Sequence, residues 1–260
     1  SPDDAFRCLD QLSNLESEGL VKLGLGIGSL WNCSDAGLQK VALMAKDRGM
    51  PVQAHVAETN KERKESILRF HATPIRRLAR AGLLSSRTEL VHAIHLDEEE
   101  WAIVNESMSR IVHCPSSNLL LRSGNLNIVE PLKQGISIGV GTDGAASSIY
   151  SGPLQEALLA LCIARRFDSE ESPFTLKQGA ALLANPIGWD CDFFSDRLDD
   201  RVEYSKNVRD YNSEALLRIS PQVVNSLKVK GNIVVRNGQV PTDKINDIIK
   251  AWKNLYLHDQ

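Results

Sequence analysis

Of the six histidines in this 260-residue chain, four fall at or just beyond the ends of short β-like runs. They occur as His55-Val-Ala-Glu58, His92-Ala-Ile-His95 and His113, and a further run ends in Thr142-Asp143-Gly144. Imidazole and carboxylate groups do two kinds of chemistry. They ligate divalent ions such as zinc or iron, and they exchange protons near neutral pH. Each motif alone is weak, because a single histidine near a strand end is more often a hydrogen-bonded structural residue, and a lone Thr-Asp-Gly is more often a turn. The signal lies in the ordered series: His-x-x-Glu, then His, then His-x-Pro-Ser-x-Asn, then Gly-Thr-Asp-Gly, each behind a strand. Cys114 follows His113 directly, but neighbours on a strand point to opposite faces, so the two are not expected to act as a nucleophilic pair.

The runs that must position these groups alternate with amphipathic helical stretches, the pattern of a parallel sheet wrapped by helices. Strands are predicted over 21–27, 52–56, 89–94, 109–113 and 136–141. Helices are predicted over 35–48, with Ser34 as cap and Leu38, Val41, Leu43 and Ala45 as apolar positions, and over 61–70. Another opens at Thr73-Pro74 and stops near Gly82, and one behind Asp97 has Glu100 placed for a capping box. Shorter ones are expected over 128–134, from Pro153, and over 175–184. In a parallel α/β barrel the C-terminal strand ends open on one face, which brings groups distant in sequence together. The tail changes character: 190–210 reads as an irregular loop, 229–240 as a β-hairpin turning on Asn237-Gly238, and 243–257 as an amphipathic helix.

Composition sets the outer limits. Hydrophobic residues make up 42% and charged residues 24%, an ordinary balance for a chain that buries one large core. A net charge of −3 gives no support for nucleic-acid binding. Local basic clusters, Arg76, Arg77 and Arg80 and then Lys228 and Lys230, read as solvated faces. No apolar run reaches the ~18–20 residues that span a bilayer. Five scattered cysteines, with no C-x-x-C pair, argue against a disulfide framework or zinc knuckle and for a reducing cytoplasm.

The chain resembles the amidohydrolase superfamily, in the branch of S-adenosylhomocysteine/methylthioadenosine deaminases, guanine deaminase-like enzymes and triazine chlorohydrolases. The resemblance is carried by Gln53-Ala-His-Val-Ala-Glu-Thr59, Val91-His-Ala-Ile-His-Leu96, Val112-His-Cys-Pro-Ser-Ser-Asn118, Ser123-Gly124 and Gly141-Thr-Asp-Gly-Ala-Ala-Ser147. It resumes in Gly231-Asn-Ile-Val-Val-Arg-Asn-Gly-Gln-Val240. It implies a (β/α)8 TIM-type barrel and hydrolysis at a ring carbon of a small amino-substituted heterocycle, with one divalent metal ion, zinc or iron. By resemblance His55 and Asp143 are metal ligands, and Asp143 also accepts a proton from the attacking water. Glu58 carries a proton to the leaving nitrogen, and His92, preferred over His95, polarises or deprotonates the water. Ser147 gives a supporting polar contact. His113 is either a second-shell group that orients a ligand or a core hydrogen-bonding residue. A homo-oligomer is compatible with this reading, and no nucleic-acid or membrane partner is expected.

The pattern also breaks. The family opens its barrel with a strand bearing His-x-His, two further ligands, and this sequence contains no His-x-His. Counted by resemblance, 21–27 is the fourth of eight strands. The expectation is an incomplete barrel of about five strands over 1–190, with 191–260 holding the irregular segment, hairpin and terminal helix. Such a chain is expected to hold metal poorly and to be inactive alone. Gly28 stands where the family commonly has a substrate-contacting histidine. Three readings follow: a fragment of a deaminase, a pseudoenzyme whose surface serves binding or assembly, or a chlorohydrolase-type activity at the same site.

Overall fold

The computed structural model describes residues 23–149, 152–169, 173–183, 201–204, 224–229, 232–236 and 239. The chain divides into two compact units. In the larger, β1 (Leu25–Ile27), β2 (Val52–Val56), β3 (Thr88–His92), β4 (Arg110–His113) and β5 (Ile138–Val140) form one parallel sheet in chain order. Helix α1 (Asp35–Arg48) links β1 to β2, and α2 (Asn60–Phe70) and α3 (Pro74–Ala81) link β2 to β3. Helix α4 (Glu98–Ser107) leads to β4. Helices α5 (Pro115–Leu120) and α6 (Val129–Lys133) lead to β5, and α7 (Pro153–Ala164) and α8 (Leu176–Ala181) follow it. This is a partial α/β barrel. Parallel neighbours require a crossover, and helices supply each one.

The helix ends follow from side-chain chemistry. Ser34, Thr59, Thr73 and Asp97 each accept a backbone N–H of the first turn that follows, and Asp97 and Glu100 form the expected capping box. Gly82 closes α3 in the left-handed conformation, at φ 75°. On α1, Leu38 is buried and Val41 and Ala45 pack on the core, but Leu43 is 62% exposed. Position 43 falls out of phase with the 38-41-45 stripe at 3.6 residues per turn, so that expectation fails.

The core lies between sheet and helices. Ala54, Val56, Leu90, Ile111 and Ile138 from the strands meet Leu38, Ile75, Leu78, Val104 and Ala160 from the helices. Each fully buried aliphatic of the larger kind contributes about 1.5–3 kcal/mol. Every residue of β3 is buried, as suits a central strand covered on both faces. Arg77 corrects the reading of its basic cluster as a solvated face. It is 2% exposed, donates to Asp35 Oδ1 at 2.8 Å and to the carbonyls of Leu30 and Cys33 at 3.0 and 2.5 Å, and lies 3.5 Å above the Phe70 ring. Spacing on an amphipathic helix cannot distinguish such an arginine from a solvated one, because its partners come from 42 to 47 residues away.

The smaller unit holds an antiparallel sheet, β6 (Arg201–Tyr204), β7 (Val224–Val229) and β8 (Asn232–Arg236). Strand β6 falls inside the tract expected to be irregular. Four residues are too few to show alternation, and pairing with β7 decides the matter. Arg236 and Gln239 exchange backbone hydrogen bonds across the expected turn, whose Asn237 and Gly238 lie outside the described residues. The helix expected over 243–257 and the side chains of Lys228 and Lys230 lie outside them as well. Among the described residues no helix is long and apolar enough to cross a membrane, and Cys33, Cys114 and Cys162 are free thiols.

Candidate metal and acid–base site

His55 is the half-buried fourth residue of β2, between buried Ala54 and Val56. His92 ends β3, His113 ends β4, and Asp143 stands three residues beyond β5. One ligand atom each from His55, His92 and Asp143 lies within 4.8 Å of the others. Opposite ligands of one cation stand about 4 Å apart at bond lengths of ~2.1 Å, so the three are close to the size of a single ion. The Nδ1 of His55 is buried and finds no hydrogen-bond partner among the described residues. An imidazole nitrogen left so is a chemical fit for a metal.

Strand geometry alone does not produce this convergence. Val56 and His92 are register partners, so regular alternation would send His92 to the face of Val56, opposite His55. His92 instead adopts φ 72° and Ala93 φ 48°, and the His55 and His92 ring centroids come to 5.3 Å. The N–H groups of Ala93, Ile94 and His95 then donate to the carbonyls of Val56 and Ala57, which fixes the turned strand end on β2. Asp143 is also left-handed, at φ 59°. Such conformations cost about 1–3 kcal/mol each and persist where the surroundings over-determine them.

Hydrogen bonds then fix the side chains. Glu58 accepts the Ser123 hydroxyl at Oε1 (2.8 Å), and its Oε2 stands 3.9 Å from His92 Nε2. The Nδ1 of His92 lies 2.8 Å from Asn118 Oδ1, and Asn118 Nδ2 lies 3.4 Å from His113 Nδ1. Asp143 accepts the Ser117 hydroxyl at Oδ2 (2.5 Å) and the Gly144 N–H at Oδ1 (2.8 Å). Ser147 donates to the Gly144 carbonyl at 3.1 Å. His95 reaches the Ser123 carbonyl at 2.8 Å and takes no place in the cluster.

Burial and charge set the proton affinities. Burial lowers the His92 pKa against the pull of Glu58 and Asn118, which keeps the ring neutral. Burial drives His113 down to about 3, so it too is neutral. Burial pushes Asp143 up, but hydrogen bonds from the Ser117 hydroxyl and the Gly144 N–H and the nearby His92 hold it below the ordinary carboxylate range. The Cys114 thiol, buried and facing Asp143 and Glu156, is pushed up to about 12 and is no nucleophile at neutral pH. Glu62, which accepts the Glu58 N–H at 2.8 Å, is raised to about 7 by burial.

Four residues found here carried no role in the sequence reading: Glu62, Ser117, Asn118 and Ser123. Three of them lie inside motifs quoted for the family resemblance, and position in those motifs was the available signal. Helix α5, which carries Ser117 and Asn118, has no clear signal in the sequence. A six-residue Pro-Ser-Ser-Asn-Leu-Leu run is short and rich in weak helix formers, and it reads as a turn.

Residues 6–183 match the family described as the amidohydrolase family. The 5-methylthioadenosine/S-adenosylhomocysteine deaminase of Saccharophagus degradans is 33% identical over 181 residues, 68% of this chain and 41% of that protein. This chain thus spans less than half the length of that relative. Among solved structures, an adenosine deaminase from Xanthomonas campestris with bound zinc superposes with a TM-score of 0.72 at 22% identity, covering 97% of this chain and 61% of that one. An atrazine chlorohydrolase from Arthrobacter aurescens complexed with zinc gives 0.74 at 23% identity, over 96% and 59%. At such identities the structural likeness speaks for the fold.

Proposed function

Because the chain belongs to the amidohydrolase family, we propose that it carries the acid–base groups and part of the metal site of a hydrolytic deaminase for an amino-substituted heterocycle of purine or triazine type. The observation that supports this best is the approach of His55, His92 and Asp143 to one ion-sized space, with Glu58 at its edge. His55 and Asp143 would hold a divalent cation, zinc or iron, and what that ion supplies is a water acidified to a pKa of about 7. His92, neutral through burial, accepts a proton at Nε2. Asp143, kept anionic by Ser117 and Gly144, accepts the second. Glu58, anchored through Oε1, turns Oε2 toward His92 Nε2 and would relay the proton taken up there to the leaving nitrogen, so that the amine departs as ammonia. Ser147 braces the Asp143 turn, and His113 meets the site through Asn118.

Among the described residues the set is one group short. If His92 serves as base, His55 and Asp143 are two ligands where catalytic zinc usually has three from protein. If His92 ligates instead, the base is lost. The 260-residue chain by itself is therefore expected to bind zinc weakly and to release no ammonia from a panel of aminopurine nucleosides and aminotriazines. Calorimetric titration of the purified chain with Zn2+ tests the reading. Binding should be one to one and weaken at least tenfold in His55→Ala and in Asp143→Asn. Zinc binding indifferent to both substitutions removes the metal site, and robust turnover by the unaltered chain overturns the shortfall. A pseudoenzyme is the second reading, favoured by Gly28, where a side chain would meet no described residue other than its chain neighbours within 4 Å. Absence of any zinc binding would leave that reading standing.

A further inference from the structure

Three side chains of one short segment each hold a different member of the site. Ser117 donates to Asp143, Asn118 meets His92, and Ser123 donates to Glu58. These partners come from three other parts of the chain, whereas Ser117, Asn118 and Ser123 lie within seven residues of sequence and are all buried. The segment is itself fixed. Ser116 N–H and hydroxyl both donate to the buried Glu156, and Arg122, at φ 58°, turns the chain so that Ser123 faces Glu58.

Within this segment, we propose that Asn118 is a positioning residue that sets the tautomers of two histidines at once. Its amide has one accepting and one donating end, and each end faces an Nδ1, that of His92 at 2.8 Å and that of His113 at 3.4 Å. Only two arrangements satisfy both ends. In the first, His92 Nδ1–H donates to Oδ1, and Nδ2–H donates to His113 Nδ1. In the second, the amide is turned over and both rings exchange tautomers. Either arrangement leaves one ring with an Nε2–H that finds no acceptor among the described residues: in the first it is the buried Nε2 of His113, and in the second it is that of His92, for which Glu58 Oε2 at 3.9 Å is too far. What the amide fixes is that the two rings carry their protons on opposite nitrogens. This inference rests on the reading of His92 as base, but it is testable apart from it.

The test reads ring nitrogens in the metal-free chain by long-range 1H–15N correlation after 15N-histidine labelling. The two rings are expected to carry their protons on opposite nitrogens, Nδ1 in one and Nε2 in the other. Asn118→Asp removes the donor and offers an acceptor at both ends, so both rings should carry Nδ1–H. Asn118→Leu, similar in size and apolar, should leave His92 a mixture of tautomers and weaken Zn2+ binding about 10–100-fold, the usual effect of losing a partner that orients the metal site. The same tautomer on both rings in the unaltered chain overturns the proposal, as do rings that stay opposite in Asn118→Asp. Both readouts precede any metal. Failure of zinc binding would therefore count against the proposed function and leave the tautomer result intact.

Discussion

Two buried polar clusters sit in the larger unit, and they are satisfied to different degrees. Around Arg77 every partner is in place: one carboxylate, two backbone carbonyls and an aromatic face. Around His92 the groups are incompletely matched. His55 Nδ1 and His113 Nε2 are buried without partners among the described residues, and His92 and Asp143 hold left-handed backbone. A buried polar group that is fully paired rigidifies the fold, whereas an unpaired one is a cost retained for another purpose. The difference separates a stability element from the proposed site, although both are built of polar side chains inside a barrel wall.

The largest effect should come from breaking the satisfied cluster. Arg77→Ala leaves Asp35, the Leu30 carbonyl and the Cys33 carbonyl short of a donor and opens a void, and is expected to cost about 3 kcal/mol in urea unfolding. Asp143→Asn, which keeps the shape and tolerates the left-handed backbone, should cost less than about 1 kcal/mol in the same measurement. Equal losses from the two would erase the distinction.

Glu62 sharpens the comparison because it touches both regions, lining the same hollow as Arg77 and Phe70 while accepting the Glu58 N–H. Its pKa is raised from 4.5 to about 7, so between those values the folded chain keeps a proton that the unfolded chain has released. Its contribution to stability is therefore greatest below pH 4.5 and is lost as pH rises through 7. Glu62→Gln should flatten that slope and make the chain about 1–3 kcal/mol more stable than the unaltered one at pH 8, measured by denaturant unfolding across pH 5–8. A slope unchanged by the substitution would place the titration elsewhere.

The smallest effect concerns strain. Met108 ends α4 at φ 56° and is 68% exposed, far from any chemistry. Met108→Gly should stabilise by about 0.5 kcal/mol, because glycine adopts that conformation without steric cost. A loss of stability there would mean that left-handed residues in this chain are not strained, and would weaken the same argument for His92.

The sequence alone determined the larger sheet and most of its helices, since hydrophobic periodicity and cap residues are local quantities and act within a few positions of each other. It also determined the chemical inventory: His55, Glu58, His92 and Asp143 stand at strand ends, where a parallel sheet gathers side chains. Tertiary structure decided which atoms meet. The left-handed turn at His92 overrides alternation, Arg77 finds partners more than 40 residues away, and a six-residue helix with no strong local signal delivers Ser117 and Asn118. Those outcomes depend on contacts between distant segments, and a side chain's own neighbours in sequence carry no record of them.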